Sequence, residues 1–578
     1  MQVLSRYFSW LSEAFVILAL LLVINNYLGN QELVIKADGK GYYDYLPATF
    51  IYHDLNFHFT DTLKTDFYDQ KSYSSGYLKT VNGKQIDKYF PGVSFLWAPF
   101  FLGAHYYALN NDVVADGYSW PYQRGIFYAA IFYLWLGLLY LRKLLTGLKI
   151  NPILILVVQL LLVLATPIIH YIQYDPAFTH VYSFSLITIF TFYLFQFLRE
   201  NKTKDLLIAG FVLGFIVIIR PVNLMAIGII ILYFKSFEEF STYLYRFTTD
   251  LLKPILFALI PFFMVVSIVP LMWYHQTGQF FVWGYQDEGF NFMDPEFINF
   301  LFSFRKGVFV HTPILFVTLI GVMMVWVFQK KYFQLFGLLL LLTAISYVLS
   351  SWWAWAYGDG FGSRPMIDYY VIFAIALAYF LNGFKSRLVT SLMGLALFVF
   401  VPLNLIQARQ FQMYIMDWNI MTLEKFKIIG LHTHVKYTGV FFKKTVEFSD
   451  DEIAFSQDMA ISSVLKIPKE QTKWFNSIKL DSVTNLNDIG YIVIDADLAY
   501  TEGLGDVVLT INDSNNTGYY WYSNGIFSSS LKENTRTKVR SFYKIPPIKP
   551  NSILQIAIDP KKESIEVYGI TVTLIAKK

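Results

Sequence analysis

The sequence predicts a polytopic α-helical membrane protein with about eleven spans and a C-terminal β-sandwich domain that faces outward. Of the 578 residues, 55% are hydrophobic and only 15% are charged, which is too apolar for a soluble globular domain. Apolar runs of about the length that a bilayer requires recur through the first two thirds of the chain. The last part instead carries short alternating runs between turn-rich pieces such as NDSNNTG and PPIKPNS, a pattern typical of a β-sandwich.

Eleven apolar segments make up the helical part of this prediction. They lie near residues 11–28, 123–141, 152–169, 181–198, 206–219, 222–234, 254–273, 312–328, 332–350, 366–384 and 387–405. The fifth and sixth segments are short for full crossings and could form one broken or tilted pair around Arg220 and Pro221. An odd number of spans places the two termini on opposite sides of the membrane.

The connections between the spans alternate between basic and mostly acidic or aromatic, and this alternation predicts the orientation. The basic connections, at residues 142–149, 199–204, 235–253, 330–331 and 385–387, are expected to be cytoplasmic. We therefore expect a multi-pass protein of the bacterial inner (plasma) membrane, with a cytoplasmic N-terminus and a periplasmic C-terminal domain.

The segment from Phe90 to Leu109 is the ambiguous part of this topology. Counting it as a span would place the basic connection at residues 142–149 outside, so the sequence favours an amphipathic helix on the outer membrane surface. Trp97 and the pair Tyr106 and Tyr107 would then lie at the level of the lipid headgroups. The first outer loop runs from residue 29 to residue 122.

The composition also excludes several functions. The chain has no Cys, so it has no disulfides and no thiolate metal site. The formal net charge of +4 is small and the basic residues are scattered, so no nucleic-acid partner is expected. No cofactor motif stands out. Asp495 and Asp497 resemble a metal-binding DxD, but strand alternation alone would place both acids on one face, so no metal is assigned and metal dependence stays open.

Residues 37–55, ADGKGYYDYLPATFIYHDL, place acids and aromatic residues immediately after the first span. Asp38, Asp44 and Asp54 would lie where water meets hydrocarbon. A carboxylate at this boundary can be partly desolvated, which raises its pKa and strengthens it as a base. This arrangement suits chemistry on a substrate that is carried on a lipid.

The order of short motifs around this stretch is distinctive: DGKGYY at residues 38–43, Asp54 and Leu55, KYFP at residues 88–91, and Arg124 at the start of the second span. The order resembles the GT-C superfamily of polyprenyl-phosphate-sugar-dependent glycosyltransferases, and in particular the branch of protein O-mannosyltransferases and aminoarabinose transferases. That branch has an Asp-Glu pair and a Pro-Pro pair. Gly39 stands here in place of the Glu, and Phe90 in place of the first Pro.

The resemblance implies a membrane enzyme that transfers a hexosyl or pentosyl group from a polyprenyl-phosphate donor to a protein, lipid or polysaccharide acceptor. Asp38 would be the catalytic base. Asp175 would be a second functional acid, or alternatively a cap of the fourth span. The candidate ligands of the donor phosphate are Lys88, Arg124, Arg220 and Arg364, although Arg220 could instead form a structural ion pair.

Further residues are candidates for binding the sugar or the acceptor, because aromatic rings stack on sugars and acids bind hydroxyls. They are Tyr42, Tyr43, Asp44, His180, Trp355 and Asp359. The segment SWWAWAYGDGFGSRP at residues 351–365 is predicted to form either an aromatic surface that binds sugar rings, here called the sugar platform, or an aromatic belt at the membrane interface. The preceding connection at residues 284–313 reads as a lid or as a solvated connector.

The sequence thus divides into a helical catalytic domain at residues 1–407, a connector at 408–436 and a periplasmic β-sandwich at 437–578. Two rival functions stay open: a lipid or polysaccharide transporter or flippase, and a non-catalytic glycan-assembly protein. A transporter would carry ionisable residues in the middle of the membrane and internal repeats. Here the acids collect on one side and no repeat is evident, which favours the enzyme.

Overall fold

Helices occupy the computed structural model up to residue 429 and strands follow from residue 453, apart from one short hairpin within the first long connection. This order confirms a mostly helical chain with a β-rich C-terminal region. The structure describes residues 2–29, 31, 33–61, 76–384, 386–413, 415–416, 421–433, 453–459, 464–468, 471–475, 477–480, 486, 489–500, 504–513, 518–527, 536–545, 548–549, 551–560 and 564–576.

The α-helices of this part of the chain differ widely in length. They are α1 (Gln2–Val23), α2 (Asp38–Phe50), α3 (Gly92–Asn110), α4 (Trp120–Gly147), α5 (Pro152–Leu164), α6 (Ile168–Gln173), α7 (His180–Glu200), α8 (Thr203–Ile219), α9 (Phe237–Phe247), α10 (Leu252–Val266), α11 (Ile268–Thr277), α12 (Phe297–Phe302), α13 (Val308–His311), α14 (Pro313–Phe328), α15 (Tyr332–Ser350), α16 (Arg364–Ile367), α17 (Tyr370–Asn382), α18 (Arg387–Leu397), α19 (Phe400–Gln412) and α20 (Leu423–Ile429). A π-helical turn, Ile24–Leu28, extends α1, and 3₁₀-helices cover His58–Asp61 and Pro221–Tyr233.

Within the described residues, six helical segments are long and apolar enough to cross a membrane. They are Leu11–Leu28, Trp120–Gly147, His180–Glu200, Leu252–Thr277, Tyr332–Ser350 and Leu388–Gln412. Four shorter apolar helices accompany them: Pro152–Leu164, Pro221–Tyr233, Pro313–Phe328 and Tyr370–Asn382. Each of the eleven predicted spans overlaps a helix, while the count of eleven crossings stays a prediction.

The predicted break between the fifth and sixth segments is visible in the backbone. Helix α8 ends where Arg220 adopts an extended conformation, with φ −150° and ψ 109°, and Pro221 opens the 3₁₀-helix. A residue that precedes proline is disfavoured in the α-helical region, so the sequence itself stops the helix here. The break leaves the Arg220 side chain at a helix end.

Helix α3 covers most of the ambiguous segment, and one expectation about its aromatic residues was wrong. It does not count among the helices apolar enough to span a membrane, and Tyr106 is 72% exposed. Trp97, expected at the membrane surface, is instead fully buried, with its ring 5.5 Å from that of Tyr182. An indole on the inner face of α3 packs against α7, so it is part of the protein core and not an interfacial anchor.

Helix α7 lies at the centre of the helical part, since 83% of its apolar window is buried. A helix that is hydrophobic on all sides is stable in such a position. The segment Leu252–Thr277 is the opposite case, with only 17% of its window buried, as expected of a helix that faces lipid. The N-terminal end of α7 carries His180 to the region where the long connections converge.

The strands form antiparallel sheets. The hairpin of β1 (Leu78–Val81) and β2 (Lys84–Asp87) lies in the first long connection. The C-terminal strands are β3 (Ile453–Met459), β4 (Leu465–Ile467), β5 (Lys473–Trp474), β6 (Ile478–Lys479), β7 (Ile489–Tyr500), β8 (Leu504–Asn512), β9 (Gly518–Phe527), β10 (Thr537–Lys544), β11 (Ile553–Pro560) and β12 (Ile565–Ala576).

These C-terminal strands make two five-stranded sheets. One has the order β10-β7-β12-β3 with β4 also paired to β12, and the other has β5-β11-β8-β9 with β6 also paired to β11. Leu554, Ile556 and Ile558 alternate along β11 and are buried, as a strand with one core face requires. The Tyr543 hydroxyl of the first sheet donates to the Val507 carbonyl of the second at 2.8 Å. A sandwich arrangement stays a prediction.

The chain divides into two compact units. The first is Met1–Ala408, and the second takes in nearly all of the chain from Arg409 to Lys578. The division falls beside the domain end predicted at residue 407. The predicted start of the β domain at residue 437 lies outside the described residues. Asp497, one of the two acids of the DxD-like pair, forms an ion pair with Arg536 at 2.7 Å.

Candidate functional site

Segments far apart in the sequence meet at one cavity of about 320 Å³ in the helical unit. They come from the connections that the charge pattern predicts to lie on a single side, and the cavity brings these connections together. The lining side chains come from residues 38–42, 88–90, 178–180, 220–222, 283–290, 352–358 and 364.

The cavity combines charged groups with an aromatic wall. Its basic side chains are Lys88, Arg220 and Arg364, and its acids are Asp38 and Glu288. Aromatic side chains supply most of the remaining surface: Tyr42, Tyr89, Phe90, Phe178, Trp283, Tyr285, Phe290, Trp352, Trp353 and Tyr357. Such a lining suits a ligand that carries both an anionic group and large apolar or ring-shaped parts.

Asp38 enters the cavity because the chain turns sharply just before it. Ala37 has φ 48° and ψ −134°, a conformation that non-glycine residues rarely adopt, and Asp38 then begins α2. Gly39 packs against Ala177 so closely that a Cβ atom at Gly39 would lie 2.6 Å from the Ala177 Cβ atom. A larger side chain at residue 39 would collide with Ala177, so this contact requires glycine.

The Asp38 carboxylate is ion-paired. Its Oδ2 atom lies 2.6 Å from Nη2 of Arg364, and the Asp38 side chain is 30% exposed. Burial alone would raise its pKa, but Arg364, a hydrogen bond with Tyr89 and the charge of Lys88 together lower it below 3.8. The expectation of a raised pKa was therefore wrong, because the local sequence motif did not reveal the pairing with Arg364, which lies far along the chain.

Arg220 belongs to a buried polar cluster behind the cavity. Its Nη1 atom lies 2.8 Å from Asp368 Oδ2, and His180 Nδ1 lies 2.7 Å from Asp368 Oδ1. Asn223 also donates to Asp368, at 2.7 Å. Asp368 is fully buried and orients both cavity residues. The sequence analysis missed it, although an acid within an apolar run is itself a signal for a functional or structural partner.

Asp175 lies apart from the residues that line the cavity. It is buried between Lys36 Nζ at 3.3 Å and His170 Nε2 at 2.9 Å. Burial would raise the pKa of Asp175, but these two neighbours lower it to about 2. Lys36 also lies 3.5 Å above the Tyr174 ring. The cluster fastens the segment that leads into Asp38, so Asp175 supports that segment and does not face the cavity.

Asp44 and Tyr43 are likewise placed in the protein interior. Both Asp44 oxygens accept from Lys40 Nζ, and the Tyr77 and Tyr118 hydroxyls donate to Asp44 at 2.6 and 2.8 Å. Tyr43 is fully buried and donates its hydroxyl to the Gly117 carbonyl. These contacts tie α2 to the rest of the first long connection and thereby hold Asp38 in place.

Three other predicted residues also lie outside the cavity lining. Arg124 is half-buried near the start of α4. The Trp355 ring lies 5.6 Å from the Arg305 guanidinium. Asp359 is exposed, and its Oδ1 atom accepts from the Gly360 amide at 2.8 Å. The structure thus brings together Asp38, Tyr42, Lys88, His180, Arg220 and Arg364.

The predicted lid and sugar platform are joined along one edge of the cavity. The Trp353 amide donates to the Gly289 carbonyl at 2.9 Å, and the Asn291 amide donates to the Ser351 carbonyl at 2.6 Å. The rings of Phe290 and Trp352 pack with centroids 4.9 Å apart. In the part of the chain that is described, no group of three or more His, Asp and Glu side chains is placed to hold a metal ion.

By fold and site, the chain is a mostly helical protein of membrane type, with a β-rich C-terminal region and a charged, aromatic cavity in its helical unit. No family model and no curated protein matches its sequence. Among solved structures, it is similar to the single-particle cryo-EM structure of the arabinosyltransferase EmbB from Mycobacterium smegmatis, at 10% identity and a TM-score of 0.36. The match covers 98% of this chain and 64% of that one. A TM-score of this size does not establish a shared fold.

Proposed function

We propose that the chain is a GT-C-type membrane glycosyltransferase that moves a sugar from a polyprenyl-phosphate carrier to an acceptor outside the cytoplasm. The observation that carries the proposal is the position of Asp38: it follows the first apolar helix and faces the same cavity as Lys88, Arg220 and Arg364. A carboxylate and three basic groups around one cavity can activate an acceptor and hold a phosphate.

The donor phosphate would bind at the basic side of the cavity. Arg364 and Arg220 are rigidly held by Asp38 and Asp368, and Lys88 contributes a third cation. Guanidinium groups bind phosphate oxygens through paired hydrogen bonds, and each charge-assisted bond contributes about 1.5 to 3 kcal/mol. Arg124, away from the lining, is assigned no part in this contact.

The chemistry would be a single displacement at the anomeric carbon. An acceptor hydroxyl attacks that carbon, the bond from the carbon to the phosphate oxygen breaks, and the polyprenyl phosphate leaves with the bonding electron pair. Asp38 takes the proton of the hydroxyl. The pKa of Asp38 is lowered, so its carboxylate is ionised at neutral pH and can accept this proton.

The remaining predicted residues take supporting roles in this proposal. Asp175 and Asp44 would position α2 and the residues that precede it, and neither would touch substrate. Tyr42, His180, Trp352 and the lid aromatics would contact the sugar or the acceptor. Trp355, Asp359 and Tyr43, outside the lining, would not. The lipid tail would run into the surrounding membrane lipids.

Surface glycans of cells with and without the gene provide the test. Mass spectrometry should show one glycan that loses a hexose or pentose on deletion and regains it with the wild-type gene. The Asp38→Asn gene should not restore it, although its protein accumulates normally. An unchanged glycan profile in the deletion strain would argue against the transferase.

A further inference from the structure

The predicted lid, residues 284–313, lies close to Lys88. A Cβ atom on Gly284 would lie only 3.0 Å from the Lys88 Cα atom, so glycine permits this approach. Four residues later, Glu288 Oε1 accepts a hydrogen bond from Lys88 Nζ at 2.7 Å. The Tyr285 ring meets the Tyr89 ring edge-on, with centroids 6.2 Å apart. An ion pair, the contact between the two rings and the position of Lys88 Nζ, 5.5 Å from the Tyr285 ring centroid, therefore hold this segment.

The residues that follow Glu288 are held differently. There the backbone of Gly289 and Asn291 bonds to the backbone of Trp353 and Ser351, and Phe290 packs on Trp352. Backbone hydrogen bonds and ring packing offer no binding position to an anion. The contact with Lys88 does, because a phosphate oxygen can take the place of a carboxylate on an ammonium group.

Glu288 differs from the acids that hold the other two cavity cations. Asp368, the partner of Arg220, is fully buried, and Asp38, the partner of Arg364, is the proposed base. Glu288 lines the cavity, is 21% exposed, and has no part in the proposed reaction. Its negative charge stands where the donor phosphate would approach Lys88.

We propose that Glu288 is an internal competitor for the donor phosphate: it occupies Lys88 in the empty cavity, and the phosphate displaces it. This inference rests on the proposed function and names a regulation of the same site. Displacement breaks the Lys88–Glu288 pair and frees one side of the lid, while the side at Trp353 stays fastened. Glu288 is thus a positioning residue that sets donor affinity and couples donor binding to the lid.

Binding of farnesyl phosphate to the purified full-length protein provides the test, with farnesol and inorganic phosphate as comparison probes. Glu288→Gln keeps the shape and the hydrogen bond but removes the charge. It should bind farnesyl phosphate about tenfold more tightly than wild type at low salt, and its affinity for farnesol should equal that of wild type. Asp287→Asn is the matched control, because Asp287 is exposed and does not line the cavity. It should bind like wild type.

Two further measurements separate competition from a general charge effect. In a Lys88→Gln background, Glu288→Gln should bring no gain, since the pair is already broken. In the wild-type protein, saturating farnesyl phosphate should speed amide hydrogen exchange at Tyr285–Glu288 and leave Trp353 protected.

The results that overturn the inference are equally definite. The inference fails if Glu288→Gln binds farnesyl phosphate no more tightly than wild type. It also fails if Asp287→Asn gains as much affinity, or if amide hydrogen exchange at residues 285–288 becomes slower. If wild type prefers farnesyl phosphate to farnesol while any of these results appears, only the competitor role is lost. If wild type binds the two probes equally, the proposed donor class is lost as well.

Discussion

Three acids on two predicted outer connections look alike in sequence, yet their surroundings give them different properties. Asp38 faces the cavity and is 30% exposed, whereas Asp44 and Asp175 are buried among hydrogen-bond and ion-pair partners. A carboxylate that faces a cavity can react, and one that is enclosed by cations and hydroxyls holds the structure. Substitution by the nearly isosteric Asn separates the two roles.

We expect Asp44→Asn to lower the free energy of unfolding by about 3 to 5 kcal/mol, because it leaves the buried Lys40 ammonium without its counter-charge. Asp175→Asn should cost about 1 to 3 kcal/mol, since Lys36 is partly exposed. Asp38→Asn should cost less than Asp44→Asn, since the Asp38 side chain is 30% exposed and that of Asp44 is fully buried. Thermal unfolding in detergent measures all three. Equal losses for the three variants would contradict the division into one reactive and two structural acids.

The pH dependence of activity tests the link between Arg364 and Asp38. An ionised base works above its pKa and stops as the pH falls through it. Arg364 lowers the pKa of Asp38, so Arg364→Gln should raise that pKa and shift the acid limb of kcat to higher pH, measured at saturating donor. Arg305→Gln, a basic residue outside the lining, should leave the limb in place. An unmoved limb in Arg364→Gln would show that Asp38 is not the titrating base.

The sequence could predict Asp38 because its motif is local: an acid and glycines directly after the first span. It could not predict the roles of Asp44 and Asp175 or the existence of the Asp368 cluster, because these depend on distant contacts. Tyr77 and Tyr118 reach Asp44 from 33 and 74 residues away. Arg364, which reverses the expected pKa shift of Asp38, comes from beyond the lid. The sequence shows which residues are acidic or basic, whereas the fold determines which of them form ion pairs.

Helix α2 is the element that carries Asp38, and its docking depends on close contact with Ala177. Gly39→Ala should lower both stability and activity, because its Cβ atom would come within 2.6 Å of the Ala177 Cβ atom. The double variant Gly39→Ala with Ala177→Gly should recover much of both, since it returns the missing space. Thermal unfolding and transfer rate measured on the same samples check this pair. A harmless Gly39→Ala would mean that α2 is not packed so closely.

The order of helices and strands was largely predictable at the element scale, because apolar runs and proline breaks are local signals. The break at Arg220 and Pro221 appears at the expected residues. Trp97 was misplaced, because an aromatic residue on an apolar helix can face the membrane or a neighbouring helix, and only the packing against Tyr182 decides between them.

At the scale of the whole molecule, five predicted connections line one cavity, which requires that they lie on one side of the membrane. The basic connections predict that this side is outside. A reporter fused after Lys143 should therefore read cytoplasmic, and one fused after Lys578 periplasmic. A periplasmic reading after Lys143 would mean that α3 crosses the membrane. The lining residues before α3 and those after it would then lie on opposite sides, and one cavity could not contain both.

Transfer in a defined system tests the central claim most directly. Purified protein in liposomes receives a polyprenyl-phosphate donor with a labelled sugar and a cell-envelope extract as acceptor, and the label in acceptor is counted over time. The account predicts transfer by wild type, with the rate reduced about 10²- to 10⁴-fold in Asp38→Asn as expected for loss of a general base. Transfer from a soluble nucleotide sugar without any lipid carrier, or equal transfer by wild type and Asp38→Asn, would contradict it.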